Sequence, residues 1–307
     1  MSTTPVIEIQ RLCKFYRGKH RGIDGVDLEV YQGEVFGFLG PNGAGKTTAI
    51  RILLDLIRAD SGTARVFGLD VRKDSREIRR RTGYLPGELG FYDSVPAQEM
   101  VDYFAALCGS IHLGIVKELT DRLQIDLSRR IREYSKGNKQ KLGILLAFLF
   151  DPELVILDEP SSGLDPLLQN QLYEFMVQQS HQGRTVFMSS HVLSEVERVC
   201  DRVGIIREGR MVAVERIETL KAKMGQVLTV DFDRQFDTGN FRAEDVEIPG
   251  VSKVQLAGHT LSMHVTGNHD GVLKALSRYK ITKLLAEEYS LDNLFLEYYQ
   301  KDNDNDK

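Results

Sequence analysis

The densest chemical signal in the chain is residues 40–48, GPNGAGKTT. They fit the phosphate-loop pattern G-x-x-x-x-G-K-[ST], with Gly40, Gly45, Lys46 and Thr47 in the defining places. A polyphosphate needs many donors close together, and backbone N–H groups turned inward make an anion-binding nest. The whole loop is therefore a candidate ligand contact: Gly40, Pro41, Asn42, Gly43, Ala44, Gly45, Lys46, Thr47 and Thr48. Gly43 and Gly45 allow backbone angles and a close approach that a Cβ would block. Lys46 adds a point charge for the β- and γ-phosphates, and the Thr47 hydroxyl is placed to hold Mg²⁺. The implied ligand is a nucleoside triphosphate.

The elements around the loop suit that chemistry. Residues 34–39 (EVFGFL) read as a short buried strand, and the apolar run from Ala49 to Ile57 as a helix ending near Arg58. Strand, glycine loop and helix N-terminus is the required context, because the helix dipole also favours an anion. A second strand, residues 154–157 (LVIL), ends in Asp158 and Glu159. Two acids after an apolar strand are commonly its solvated end. Behind a phosphate loop they carry chemistry: Asp158 can hold Mg²⁺ through water, and Glu159 can orient or deprotonate the attacking water.

The 307 residues suffice for one large or two moderate domains. A hydrophobic content of 42% and a charged content of 27% are those of an ordinary globular chain. The net charge of −4 argues against a globally basic nucleic-acid binder. Cys13, Cys108 and Cys200 are scattered, with no metal or CxxC spacing, which suggests a reducing compartment and inert thiols. No signal peptide is expected from the start MSTTPVIEIQ. Residues 142–150 form the longest apolar stretch, too short to span a bilayer, so a membrane role would need another polypeptide.

Residues 1–220 read as one α/β unit, with strand-like runs at 35–39, 154–157, 185–189 and 203–207 separated by helical patterns, hence a parallel core. Residues 6–9 and 26–30 alternate apolar and polar, which predicts a small antiparallel β-subdomain ahead of that core. Between about 93 and 150 the pattern turns helical, with Pro96 near the first helix start, Leu119, Leu123 and Ile125 in a second helix and residues 139–150 in a third. Residues 221–300 read as a small α+β domain without a chemical motif: alternating runs at Leu228, Val230, Phe232 and at Leu261, Met263, Val265, a short helix near 272–279, and a last helix capped by Ser290. Residues 301–307 (KDNDNDK) read as a disordered polar tail. The basic run Arg72, Lys73, Arg76, Arg79, Arg80 and Arg81 has two readings, a solvated helix face or an attraction to anionic lipid headgroups.

With both motifs in order, residues 1–220 resemble the ATP-binding subunit of an ABC transporter. The implied fold is a P-loop NTPase core of ABC type with an antiparallel β-subdomain and a helical insert. DEPSSGLDP, residues 158–166, resembles the family's Walker B strand running into its D-loop. Ser189-Ser190-His191 resembles its switch, where His191 would contact the γ-phosphate. Tyr16 resembles the aromatic that stacks on adenine, beside Phe15, which reads as a core residue. Tyr134-Ser135-Lys136-Gly137-Asn138 occupies the place of the signature LSGGQ, retaining Ser135 and Gly137. Lys136 either adds charge near the γ-phosphate or snorkels into solvent. The resemblance implies that Ser135 and Gly137 complete the ATP site of a second copy, in trans, and that two copies clamp two ATP molecules. The Q-loop departs: Gly87 stands where glutamine is usual, and Glu88 could serve as an Mg²⁺ ligand only if the loop shifts by one residue.

The resemblance implies an ATPase, using ATP and Mg²⁺, that couples to a separate integral membrane permease at the cytoplasmic face of the cell membrane, with no nucleic acid bound. The altered signature and the block at residues 290–295 (SLDNLF) resemble the branch that exports antibiotics, toxins, lipids or polysaccharides. The alternative is a soluble ABC ATPase acting on ribosomes or nucleic acid. Against it, the chain has one phosphate loop and no heptads for a long coiled coil.

Overall fold

The computed structural model describes residues 4–16, 21–109, 111–233, 248–267 and 269–288. The chain divides into two compact units at Arg216/Ile217.

The first unit opens with β1 (Pro5–Phe15) and β2 (Arg21–Tyr31), then β3 (Val35–Leu39), the phosphate loop and α1 (Lys46–Leu53). β4 (Ser61–Val66), β5 (Leu69–Asp70), α2 (Ser75–Arg80) and β6 (Thr82–Leu85) follow. Strands β2, β1, β4 and β5 form an antiparallel sheet in that order, the subdomain that alternation at 6–9 and 26–30 predicts. The helical insert is α3 (Ala97–Cys108), α4 (Leu113–Leu123), a 3-10 turn at Ile131–Glu133 and α5 (Lys136–Phe148). The core resumes with β7 (Leu154–Asp158), α6 (Pro166–His181), β8 (Thr185–Ser190), α7 (Leu193–Val199), β9 (Arg202–Arg207) and β10 (Arg210–Arg216).

The main sheet runs β10-β9-β3-β8-β7-β6, parallel from β9 to β6, with β10 an antiparallel edge. Strands β3, β7 and β8 are buried along their whole length, as expected where helices cover both faces of a parallel sheet. The in-register pairing of β3 with β8 and of β7 with β8 brings Leu39 beside Ser190 and Asp158 beside Ser189. The ends of three parallel strands thus converge where ligands bind in open α/β sheets.

Two expectations are corrected. Helix α1 stops at Leu53 instead of near Arg58. Asp55 takes a left-handed φ of 55°, and the N–H groups of Leu56 and Ile57 both turn back to the Arg51 carbonyl, which ends the helix at the Leu54 cap. Phe15 is exposed, because register shifts at Leu12/Lys14 and Lys14/Phe15 turn the end of β1 out of the core alternation. Within the basic run, the Arg72 and Arg79 guanidinium groups donate to the carbonyls of Ala59 and Leu54, and Arg81 pairs with Glu153 while lying 3.9 Å over the Phe67 ring.

The second unit comprises α8 (Ile217–Met224), β11 (Gln226–Phe232), β12 (Val251–Ala257), β13 (Thr260–Val265), α9 (His269–Leu276) and β14 (Ile281–Glu288). Its strands form one antiparallel sheet, β12-β13-β11-β14. Leu228, Val230, Phe232, Leu261, Met263 and Val265 share its buried face with Val272 and Leu276 of α9. The expected last helix with its Ser290 cap, and the polar tail at 301–307, lie outside the described residues.

Candidate nucleotide site

The phosphate loop is built by steric exclusion. A Cβ on Gly40 would meet the Ile206 carbonyl oxygen at 2.3 Å, and one on Gly45 the Gly22 carbonyl oxygen at 2.3 Å. Gly45 also has φ 107°, a conformation that side chains rarely adopt. Its position as N-cap of α1 leaves the first turn without a side-chain cap, so the helix N-terminus faces the loop bare. The Gly40 N–H donates to the Ser190 carbonyl, tying the loop to the end of β8, and the Ala44 N–H closes a turn on the Pro41 carbonyl. Pro41, Asn42 and Gly43 are exposed at the rim, and Thr47 and Thr48 are half-buried in the first turn of α1. The loop thus leads into an uncapped helix N-terminus, an arrangement that suits an anion.

Lys46 is buried and donates to the Gly40 carbonyl at 2.6 Å and the Pro41 carbonyl at 3.2 Å. Its ammonium lies 3.7 Å from Glu159 Oε1. Burial pulls its pKa below the ordinary lysine value, an effect that the charges of Glu159 and Asp158 oppose. The cation is held by its own loop, close to where phosphate charge would sit.

Asp158, the last residue of β7, is 1% exposed. Its Oδ2 accepts from Thr47 Oγ1 at 2.8 Å and its Oδ1 from Ser189 Oγ at 2.5 Å. A carboxylate and a hydroxyl in contact at the mouth of the phosphate cradle are the hard oxygen donors that Mg²⁺ takes alongside phosphate oxygens. The residues therefore fit a magnesium–nucleotide complex. An ideal Cβ on Gly87 would lie 3.3 Å from Asp158 Oδ2, so Gly87 is the member of the Q-loop stretch beside this acid. Glu88 is exposed and lines a cavity of about 440 Å³ with Lys136 and Lys139.

Glu159 takes a left-handed φ of 53°. Its N–H meets both the Ser189 carbonyl (3.3 Å) and Ser189 Oγ (3.1 Å). Gln140 Nε2 donates to the Glu159 carbonyl at 3.2 Å and the Pro160 carbonyl at 3.1 Å. The side chain turns from Asp158 toward His191, whose Nδ1 lies 3.1 Å from Glu159 Oε1. The fold thus gathers Lys46, Thr47, Asp158, Glu159 and His191 into one cluster from three segments of chain. Sequence reading singled out neither Gln140 nor the bridging role of Ser189. The available signal was a glutamine in the apolar face of α5, since a polar side chain 4% exposed must find partners.

Tyr16 follows β1, is exposed, and places its hydroxyl 3.4 Å from Thr48 Oγ1, next to the phosphate-loop helix. Ser135 is the N-cap of α5, with Oγ accepting from the Asn138 N–H at 3.2 Å. A Cβ on Gly137 would meet the Gly163 carbonyl at 2.4 Å, so this glycine is pressed against the turn that follows Glu159.

A glycine loop delivering a buried lysine, with a hydroxyl–carboxylate pair at the ends of parallel strands, defines a P-loop nucleoside triphosphatase. A family model described as ABC transporter matches residues 23–162. The bacitracin transport ATP-binding protein BcrA of Bacillus licheniformis is 34% identical over 300 residues, 97% of this chain and 90% of that protein. The linearmycin resistance ATP-binding protein LnrL of Bacillus subtilis is 29% identical over 95% of this chain and 97% of its own length. An uncharacterized ABC transporter ATP-binding protein of Synechocystis is 39% identical, and this match spans 61% of that relative. A solved ATP-binding subunit of an ABC transporter superposes with a TM-score of 0.64 at 30% identity, covering 71% of this chain and 92% of that one. The chain belongs to the ATP-binding subunits of ABC transporters, and it is an ATPase of the energy-coupling kind.

Proposed function

We propose that this chain drives a membrane exporter, pairing with a second copy of itself on a separate permease at the cytoplasmic face of the membrane. The convergence of Lys46 and His191 on Glu159 carries the hydrolytic part of this reading, because one carboxylate there touches both a buried cation and an imidazole. Lys46 would exchange the Gly40 and Pro41 carbonyls for β- and γ-phosphate oxygens. Thr47 Oγ1 and Asp158 would hold Mg²⁺, joined by Glu88 only if the loop shifts by one residue. The bound ion would neutralise charge between the transferred and leaving phosphates. Glu159 positions and deprotonates water, His191 contacts the γ-phosphate, and Tyr16 stacks on the adenine.

Ser135 and Gly137 would serve the ATP of the second copy. A dimeric cassette bound to ADP and Pi shares the fold (TM-score 0.62, 17% identity). For the permease, a groove of about 600 Å³ adjoins the Q-loop stretch, with Leu56, Tyr92, Tyr103 and Leu107 exposed along it. Four large apolar side chains left open on one groove mark an interaction site. No helix among the described residues is long and apolar enough to cross a membrane, so the span would belong to that permease. Export is supported by the near full-length similarity to ATP-binding proteins named for bacitracin transport and linearmycin resistance. The reading needs no nucleic acid.

The test is Glu159→Gln. It is expected to keep ATP binding, block turnover and accumulate an ATP-bound dimer, whereas Lys46→Ala loses nucleotide binding. Turnover by Glu159→Gln at the native rate would refute the base assignment. Co-purification of ribosomes instead of a multi-helix membrane protein would favour the soluble alternative.

A further inference from the structure

We propose that Gln140 is the positioning residue through which helix α5 sets the catalytic geometry of Glu159. Glu159 occupies the left-handed region, which costs a non-glycine residue energy and persists only where the surroundings over-determine it. The surroundings hold it from both sides. Ser189 takes its N–H, and Gln140 Nε2 takes its carbonyl together with the next one, that of Pro160. Gln140 is 4% exposed, and its amide donates to those two oxygens. The two peptide units that define the Glu159 turn therefore share a donor anchored in a different subdomain.

That anchor is directional. Gln140 lies five residues from Ser135, the N-cap of α5, on a continuous helix. At 1.5 Å per residue the two are about 8 Å apart along a rigid rod. The same end of α5 is pinned to the Glu159–Asp165 stretch again at Gly137, where a Cβ would meet the Gly163 carbonyl at 2.4 Å. Displacement of the α5 N-terminus therefore moves the donor that holds the Glu159 carbonyl. This inference rests on the proposed role of α5 in contacting the second copy's ATP. On that basis, nucleotide engaged in one composite site presents the base of the other.

The experiment uses the full-length chain, steady-state Mg-ATP hydrolysis and nucleotide binding. Gln140→Met keeps volume and burial but removes the donor. We expect kcat to fall about tenfold with KM within about twofold, the signature of a loss felt only in the transition state. A residue acting through Glu159 has nothing to act on once the carboxylate is gone. The residual rate of Gln140→Met/Glu159→Gln should therefore equal that of Glu159→Gln alone, whereas a merely structural role lowers it further. Gln140→Leu likewise removes the donor without adding a charge, and carries the same expectation if Gln140→Met fails to fold. Wild-type kcat in the donor-less variant, or additive losses in the double variant, overturns the proposal. Native turnover by Glu159→Gln alone instead overturns the base assignment, so the two failures are distinguishable.

Discussion

Ser189→Ala offers the sharpest test of how the acids at the end of β7 are held. The hydroxyl is fully buried, donates to Asp158 Oδ1 at 2.5 Å and accepts from the Glu159 N–H at 3.1 Å. A hydrogen bond to a charged group contributes roughly 1.5–3 kcal/mol, and its loss leaves part of a buried carboxylate without a donor. The Glu159 N–H retains the Ser189 carbonyl, so the larger share of the loss falls on Asp158. A cost of about 2 kcal/mol corresponds to a melting temperature lower by roughly 4–8 °C for a unit of this size. If the same amount is lost from the transition state, kcat falls about thirtyfold. Calorimetry with and without Mg-ATP separates the contributions. The destabilisation should shrink when the complex is bound, because a cation at Asp158 offsets the missing donor. Melting within about 1 °C of wild type in the free protein, or an equal loss with and without Mg-ATP, refutes the argument.

The remaining tests address single residues. For Lys46, the folded-state pKa lies below the unfolded one, so the unfolded chain binds more protons and this residue's contribution to stability rises with pH. Wild type should therefore gain stability relative to Lys46→Met as pH rises from 7 toward about 10.4, and parallel melting curves would sink the idea. Tyr16→Ala should weaken ATP binding about fivefold through lost stacking while leaving the melting temperature almost unchanged, since the ring is exposed; calorimetric titration and melting read the two. Glu88→Ala is expected to keep ATPase activity within about twofold, because Gly87 is the neighbour of Asp158 and Glu88 is exposed. A large fall would instead give Glu88 a ligand's part.

What the sequence showed plainly was whatever is local. Residues 40–48 state their chemistry within one loop, and Asp158 and Glu159 follow directly from an apolar strand. The parallel core followed from continuous apolar runs, and the β-subdomain from alternation, because burial on two faces or one writes different periods. The misses arose where tertiary geometry overrides local pattern. Phe15 looked like core until bulges in β1 turned it outward. Helix α1 ended early because its last turn folds back on the Arg51 carbonyl. Gln140 and Ser189 act across separations of 19 and 30 residues, and no periodicity records such contacts.

One consequence of the cluster concerns the order of events. The Lys46 ammonium is satisfied by two loop carbonyls and the nearby Glu159 carboxylate. A triphosphate offers the same cation a denser negative charge, so its arrival competes with all three partners at once. The carbonyls remain tied into the loop and lose little, but Glu159 loses a cation and keeps His191 at 3.1 Å. On the proposed assignment of Glu159 as the base, the carboxylate that would face water is released by the step that brings the phosphate. Its backbone stays fixed by Ser189 and Gln140 throughout. A side chain freed on a clamped backbone can turn to the attacking water without disturbing the Asp158–Thr47 pair. This is why the clamp and the carboxylate have to be tested separately.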